Sequence, residues 1–232
     1  MRERVIPRLS LLVFNSHAYL SKFQCHDIEF ADIDQIVDET LPALDQLRRE
    51  GKLRYIGVSS YALEKLVCAV ERSPLIDTVQ TYCRLCLIDN TLIDLAPYFR
   101  NRNIGVINGS PLAMGLLTGR PPQEWHGAPD KLKAKCIEMS AACDSLGVKL
   151  ATVAIRYATS MADVANVTLM GTSKAARMRA NVAAVVSPLD TYDAALSAVG
   201  EITGAKDLRR STAVALSGVG HNALWAANVD KT

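Results

Sequence analysis

Five short β-prone runs recur along the 232-residue chain, separated by longer stretches with helical periodicity. The runs are KFQC (22–25), LRYIGVSS (53–60), DTVQTYC (77–83), IGVINGS (104–110) and NVTLMGTS (166–173). They are mostly apolar rather than alternating, as in parallel strands covered by helices. Each ends on polar or small side chains: His26 and Asp27, Ser59 and Ser60, Gln80 and Tyr82, Asn108 and Ser110, Thr172 and Ser173. Strand and helix in repeated succession select βα units and a parallel sheet.

The intervening stretches carry helix signals. In IVDETLPALDQLRREGK (36–52), Val37, Leu41, Leu44 and Leu47 recur at helical spacing and Gly51 suits the C-terminal stop. Pro42 inside that pattern predicts a first-turn position or a kink. Further helices are expected at 62–73, at 89–103 with Asp89 as cap, and at 130–147 ending at Gly147. Others are expected at 148–159, at 173–185 with Ser173 as cap, and at 191–202.

Two architectures fit βα repetition: a doubly wound open sheet and a (β/α)8 barrel. No G-x-G-x-x-G follows a strand and no G-x-x-x-x-G-K-[ST] is present, which disfavours a Rossmann or P-loop domain. In a barrel, functional side chains gather at the carboxyl ends of strands, where all five runs carry hydrogen-bonding groups. Composition removes other classes. Net charge is +2 with both signs interspersed, so nothing favours nucleic acid as a partner. No stretch approaches the ~18 apolar residues of a membrane span. Six cysteines in a chain this long do not make a disulfide scaffold. Cys83 and Cys86 form a C-x-x-C, but Cys136 and Cys143 are seven apart with no nearby His, and His17, His26, His126 and His221 form no ligand cluster. Ordinary reduced thiols are the expectation, which favours a cytoplasmic protein.

At this point the residues resemble a known family. The stretch 23–185 is similar to the aldo-keto reductases and, within them, to the branch of L-galactose and D-arabinose dehydrogenases. QCHDIEF (24–30) resembles the fourth strand of that fold with its histidine. LPALDQLRREGKLRYIGVSSY (41–61) resembles its helix-to-strand passage, VQTYC (79–83) its sixth strand, SPLAMGLLTG (110–119) a string specific to the family, and GTSKAARMRANVAAV (171–185) its last βα turn and cofactor-clamping helix. The fold this implies is an α/β (β/α)8 TIM barrel of the NADP-dependent oxidoreductase type, incomplete, with about strands 4–8 and their helices.

The resemblance also implies a site. His26 would orient a substrate oxygen. Ser59, Ser60 and Gln80 would contact the nicotinamide, with Ser60 where the family usually has Asn. Ser110 and Leu112, with backbone near Gly115 and Leu117, would line the pyrophosphate of NAD or NADP. Thr172, Ser173, Arg177 and Asn181 would hold the adenosine end. Gly109 replaces an aromatic residue common before S-P-L, and Ala180 replaces a common Glu, which leaves NAD versus NADP open. Residue by residue, plain structural readings stand beside these. His26 could be structural, Ser59 and Ser60 could cap the next helix, Gln80 could be a satisfied interior amide and Arg177 a solvated helix charge. In the Pro-rich loop RPPQEWHGAPD (120–130), Trp125 is expected to line the sugar site or to belong to a surface connector.

The family uses Asp, Tyr, Lys and His together, and the first three precede the fourth strand. Only 25 residues precede His26, and Tyr19 and Lys22 lie too close to it to fill those places. The expectation is therefore an N-terminally truncated reading of a longer gene: an atypical segment 1–22, a partial barrel 23–205 and a tail 206–232. Such a piece would expose strand edges and be inactive alone. The leading function is an NAD(P)-dependent oxidoreductase that takes a sugar to its lactone. The alternative is a non-catalytic relative that keeps nucleotide contacts and serves a protein partner of unknown identity. An unrelated (β/α) barrel enzyme is the remaining reading.

Overall fold

The computed structural model describes residues 9–10, 20–205 and 208. The rest of the segment 1–19, including Tyr19, and the rest of the tail 206–232 lie outside the described residues. The chain divides into two compact units, Met1–Thr81 with Pro97–Ile107, and Tyr82–Ala96 with Asn108–Thr232.

Unit 1 is built on strands β2 (Leu20–Cys25), β3 (Leu53–Ser60) and β4 (Thr78–Tyr82, its last residue in unit 2). They are hydrogen-bonded in chain order and in parallel. The register sets Gln24 opposite Gly57, Gly57 opposite Thr78, and Ser59 opposite Gln80. A two-residue strand β1 (Leu9–Ser10), unexpected from the sequence, pairs antiparallel with β2. β2 also begins at Leu20, so the expected boundary at 22/23 falls inside the strand and Lys22 is a strand residue.

The crossover from β2 to β3 runs through a 3-10 turn (Ile28–Phe30), α1 (Ile33–Gln35), a π-helical turn (Ile36–Thr40) and α2 (Leu41–Arg49). Pro42 sits in the first turn of α2, directly after the π turn. Its missing N–H falls where the widened turn already breaks the regular ladder. Gly51 ends the helix at φ 73°, and Lys52 N–H returns to Leu47 O at 2.9 Å, the closure that a left-handed glycine permits. Asp77 ties the crossover to the sheet: its carboxylate accepts from Ile56 N at 2.7 Å and from Arg48 Nη1 at 3.0 Å. α3 (Leu63–Arg72) joins β3 to β4. Ile36, Leu41, Ile56, Val58, Leu66 and Phe99 make the core of this unit and are fully buried.

Unit 2 contains the loop after β4, the end of β5 (Gly105–Gly109), and the short β6 (Val167–Leu169). It also holds helices α5 (Asp130–Ser145), α6 (Leu150–Ser160), α7 (Ala175–Val186) and α8 (Tyr192–Thr203). Helix α4 (Leu92–Arg100) starts in this unit and ends in the other. Asp89 does not cap it. Its carboxylate accepts from Thr91 N at 3.0 Å and pairs with Arg84 at 2.9 Å, closing the turn ahead of the helix. Leu85, Leu87, Leu117, Leu132, Met139, Tyr157 and Val199 fill the core of unit 2. The Tyr157 hydroxyl donates to Leu208 O at 2.5 Å. Among the described residues no helix is long and apolar enough to cross a membrane.

Candidate functional site

In unit 1 the polar ends of β2, β3 and β4 come together. His26 follows the last residue of β2, and its Nδ1 lies 2.8 Å from Asp27 Oδ1. Asp27 holds a left-handed conformation (φ 55°, ψ 54°), which an aspartate tolerates better than most residues. Its N–H donates to Ser59 Oγ at 3.0 Å, so a fully buried hydroxyl on β3 fixes the backbone next to the histidine. Ser59 pairs in register with Gln80, which is also buried. Ser60 points to the other side of the strand. Its Oγ accepts from Ala62 N at 3.0 Å, which shapes the approach to α3.

Sequence reasoning missed Glu29. Its Oε1 accepts from Tyr61 N at 2.8 Å across the same strand ends. Burial pushes its carboxyl above the usual range, opposed by hydrogen bonds from the Tyr61 backbone and the Ser60 side chain. The available signal was an acid between two apolar residues, Ile28 and Phe30, one turn after the histidine.

The other expected residues belong to unit 2. After β5 the chain takes left-handed conformations at Ser110 (φ 53°), Ala113 (48°), Met114 (52°) and Gly115 (109°). Leu112 O accepts from Gly115 N at 3.0 Å and from Leu117 N at 3.2 Å, which folds the stretch Ala113–Thr118 into short turns across a kink at Met114 and Gly115. A Cβ built on Gly115 would meet nothing within 4 Å, so the backbone there faces open space. Leu117 is fully buried.

Thr172, Ser173, Arg177 and Asn181 lie after β6 and along α7. The expected cap at Ser173 is not formed: the helix starts at Ala175 with Lys174 as the flanking residue. Thr172 Oγ1 accepts from Lys174 N at 3.2 Å and takes up the backbone donor instead. Arg177 is exposed and Asn181 buried.

Trp125 is 54% exposed and stacks on His126, with ring centroids 5.6 Å apart. His126 is buried. Its Nδ1 accepts from Ala128 N at 3.1 Å, so the ring proton sits on Nε2, which donates to Ala113 O at 3.2 Å. The Trp125 loop is thereby tied to the 110–119 turn. Burial lowers the pKa of His126, opposed by the bond to Ala113.

The C-x-x-C thiols are interior groups: Cys83 and Cys86 are buried, and burial pushes Cys86 up to about 12. No group of three or more His, Cys, Asp or Glu among the described residues could hold a metal ion.

Residues 11–198 match the model of the aldo/keto reductase family. The chain belongs to that family. It is 42% identical over 169 residues to an L-galactose dehydrogenase of Arabidopsis thaliana, a match covering 72% of this chain and 53% of that one. It is 30% identical over 151 residues to a D-arabinose 1-dehydrogenase of Saccharomyces cerevisiae, covering 61% and 45%. The chain thus spans about half the length of these curated relatives. Among solved structures, an aldo-keto reductase from Bacillus halodurans superposes with a TM-score of 0.61 at 25% identity, covering 83% of this chain and 62% of the other. The fold class is accordingly α/β, with βα units in the order of part of this family's (β/α)8 barrel.

Proposed function

We propose that this aldo-keto reductase chain carries the substrate-oxygen and dinucleotide elements of an NAD(P)-dependent sugar dehydrogenase that oxidises an aldose to its lactone. The single observation that carries the reading is the fixed His26 corner. A histidine at a parallel strand's carboxyl end lies 2.8 Å from the Asp27 carboxylate, and the Asp27 backbone is pinned by Ser59 on the next strand. The ring is placed before any substrate arrives, which spares ordering cost in the transition state.

The residues present fit a dinucleotide. The turn from Ser110 to Gly115, left-handed at Ser110, Ala113, Met114 and Gly115, presents backbone and a hydroxyl, with open space over Gly115, the kind of concavity that takes a pyrophosphate. Arg177 supplies an exposed planar cation, and Asn181 an amide one helical turn further on. Ser59 and Gln80 would hold the nicotinamide amide, and Ser110, Leu112, Gly115 and Leu117 the pyrophosphate. Thr172, Ser173, Arg177 and Asn181 would hold the adenosine end. When bound, the nicotinamide supplies the hydride acceptor. His26 orients the sugar's anomeric oxygen, Ser59 keeps that corner rigid, and Ser60 shapes the turn behind it. Trp125, exposed on a tethered loop, is the side chain proposed to meet the sugar ring.

Purified protein titrated with NAD and with NADP, then supplied with L-galactose, tests this reading. Binding of one dinucleotide with growth of reduced-nicotinamide absorbance supports it. Binding without turnover supports a nucleotide-holding, non-catalytic relative. No binding of either rejects both.

A further inference from the structure

One face of the unit 1 sheet carries a buried polar cluster one side-chain layer beneath His26. Lys22 and Gln24 point to the same side of β2, since they are two residues apart. The register carries that row across the sheet, from Gln24 to Gly57 to Thr78. The three side chains converge over Gly57. A Cβ placed on it would lie 2.4 Å from Thr78 Oγ1, 2.6 Å from Gln24 Oε1 and 2.9 Å from Lys22 Cε. Gln24 is 1% exposed. Lys22 Nζ, both amide atoms of Gln24 and Thr78 Oγ1 are buried without a hydrogen-bond partner among the described residues. Buried polar atoms are nearly always satisfied, and a group of four left open at one point calls for a bridging species.

The balance of donors identifies its chemistry. The Lys22 ammonium offers three N–H bonds, the Gln24 amide two and the Thr78 hydroxyl one. The opposing acceptors are one amide oxygen and one hydroxyl oxygen. A half turn of the amide exchanges its ends and brings Nε2 to the point now held by Oε1. Donors then exceed acceptors and carry a positive charge. Water could fill hydrogen bonds but could not offset an interior ammonium, whereas an anion does both. The crowding over Gly57 restricts the ligand to a few atoms.

We propose that the face of β2–β4 over Gly57 is a binding site for a small monovalent oxyanion, held by Lys22 Nζ, Gln24 Nε2 and Thr78 Oγ1. Burial lowers the Lys22 pKa to about 8, as expected for an ammonium whose counter-ion is absent, and a bound anion would raise it again. His26 follows Gln24 by two residues, about 7 Å at ~3.3 Å per residue, so this site lies one side-chain layer beneath the substrate-orienting corner.

Formate is the probe. Urea unfolding of the full chain is compared in sodium formate and in sodium gluconate, a carboxylate too bulky for the space, at equal ionic strength. A ligand bound only by the folded state lowers the unfolding constant by a factor of 1 + [L]/Kd. The expected result is about a fivefold or greater fall in 100 mM formate relative to gluconate. Lys22→Met should abolish the difference while matching or exceeding the wild type in gluconate, because it removes an uncompensated buried charge. Gln24→Leu should weaken the formate effect and serves as the second variant if Lys22→Met fails to fold. Indistinguishable wild-type curves in the two salts would overturn the site and leave a water cluster only. A formate effect that survives in Lys22→Met would overturn it equally.

Discussion

Replacing Ser59 by Ala tests the corner on which the functional reading depends. The Ser59 hydroxyl is fully buried and accepts the Asp27 N–H at 3.0 Å. Deleting it leaves that donor without its partner next to a residue already at φ 55°. An orphaned buried donor costs about 1–3 kcal/mol. Asp27 retains 26% side-chain exposure, so water can reach part of the gap, and the cost should fall near the lower end, about 1.4 kcal/mol. That is roughly a tenfold shift in the unfolding constant. With a urea slope of about 3 kcal/mol per molar, the midpoint should drop by about 0.5 M at unchanged slope. Amide hydrogen exchange gives the local readout: Asp27 should lose protection selectively while the core strand residues Ile56 and Val58 keep theirs. Ser59→Thr, which retains the acceptor, should restore most of it. Equal Asp27 protection in wild type and Ser59→Ala would refute the reasoning, because the hydroxyl would then not be what fixes the turn beside His26.

Other outcomes follow from the same geometry. Gly57→Ala forces a Cβ to within 3 Å of three side-chain atoms and should cost about 1–3 kcal/mol, read as a lower denaturation midpoint. The folded His126 pKa is lowered by burial, so its neutral form favours the folded state above the unfolded pKa of about 6.5. As pH falls from there toward the folded value, the unfolded chain takes up a proton first and stability is lost. His126→Asn should flatten that slope in urea midpoints measured between pH 8 and 5. Tyr157→Phe removes the donor to Leu208 O and should cost about 1–2 kcal/mol in thermal or urea unfolding. Cys25, Cys86 and Cys136 are pushed up to about 12 and Cys143 to about 11, whereas Cys68 is only half buried. A disulfide reagent at pH 8 should therefore modify Cys68 well before the others, as peptide mapping would show.

The strands were legible wherever an apolar run closed on a polar pair, because burial on both faces writes a continuous pattern and the carboxyl end interrupts it. β3 was found at its expected bounds, Leu53–Ser60. β2 begins at Leu20, two residues before the expected run 22–25, and Lys22 lies inside it with its Nζ buried. The caps at Asp89 and Ser173 were misplaced for a shared reason. Aspartate, serine and threonine can close a local turn as readily as open a helix, and Asp89 and Thr172 do the former. Glu29 was missed because its partner, the Tyr61 backbone, lies 32 residues away and becomes a neighbour only through strand pairing. The left-handed run at 110–115 was invisible to periodicity, since Ser110, Ala113 and Met114 are not residue types that announce positive φ.

The π turn at Ile36–Thr40 acts as an angular spacer. Five residues occupy a coil that an ordinary helix closes with four, so everything downstream is rotated by about 100° relative to an unbroken helix. That phase lets Ile36 and Val37 at its start, and Leu41 and Leu44 after it, all lie buried. Removing a single residue from this coil would swing Leu41 and Leu44 out of alignment with the upstream pair. A one-codon deletion here would therefore do more damage than most substitutions of the same side chains.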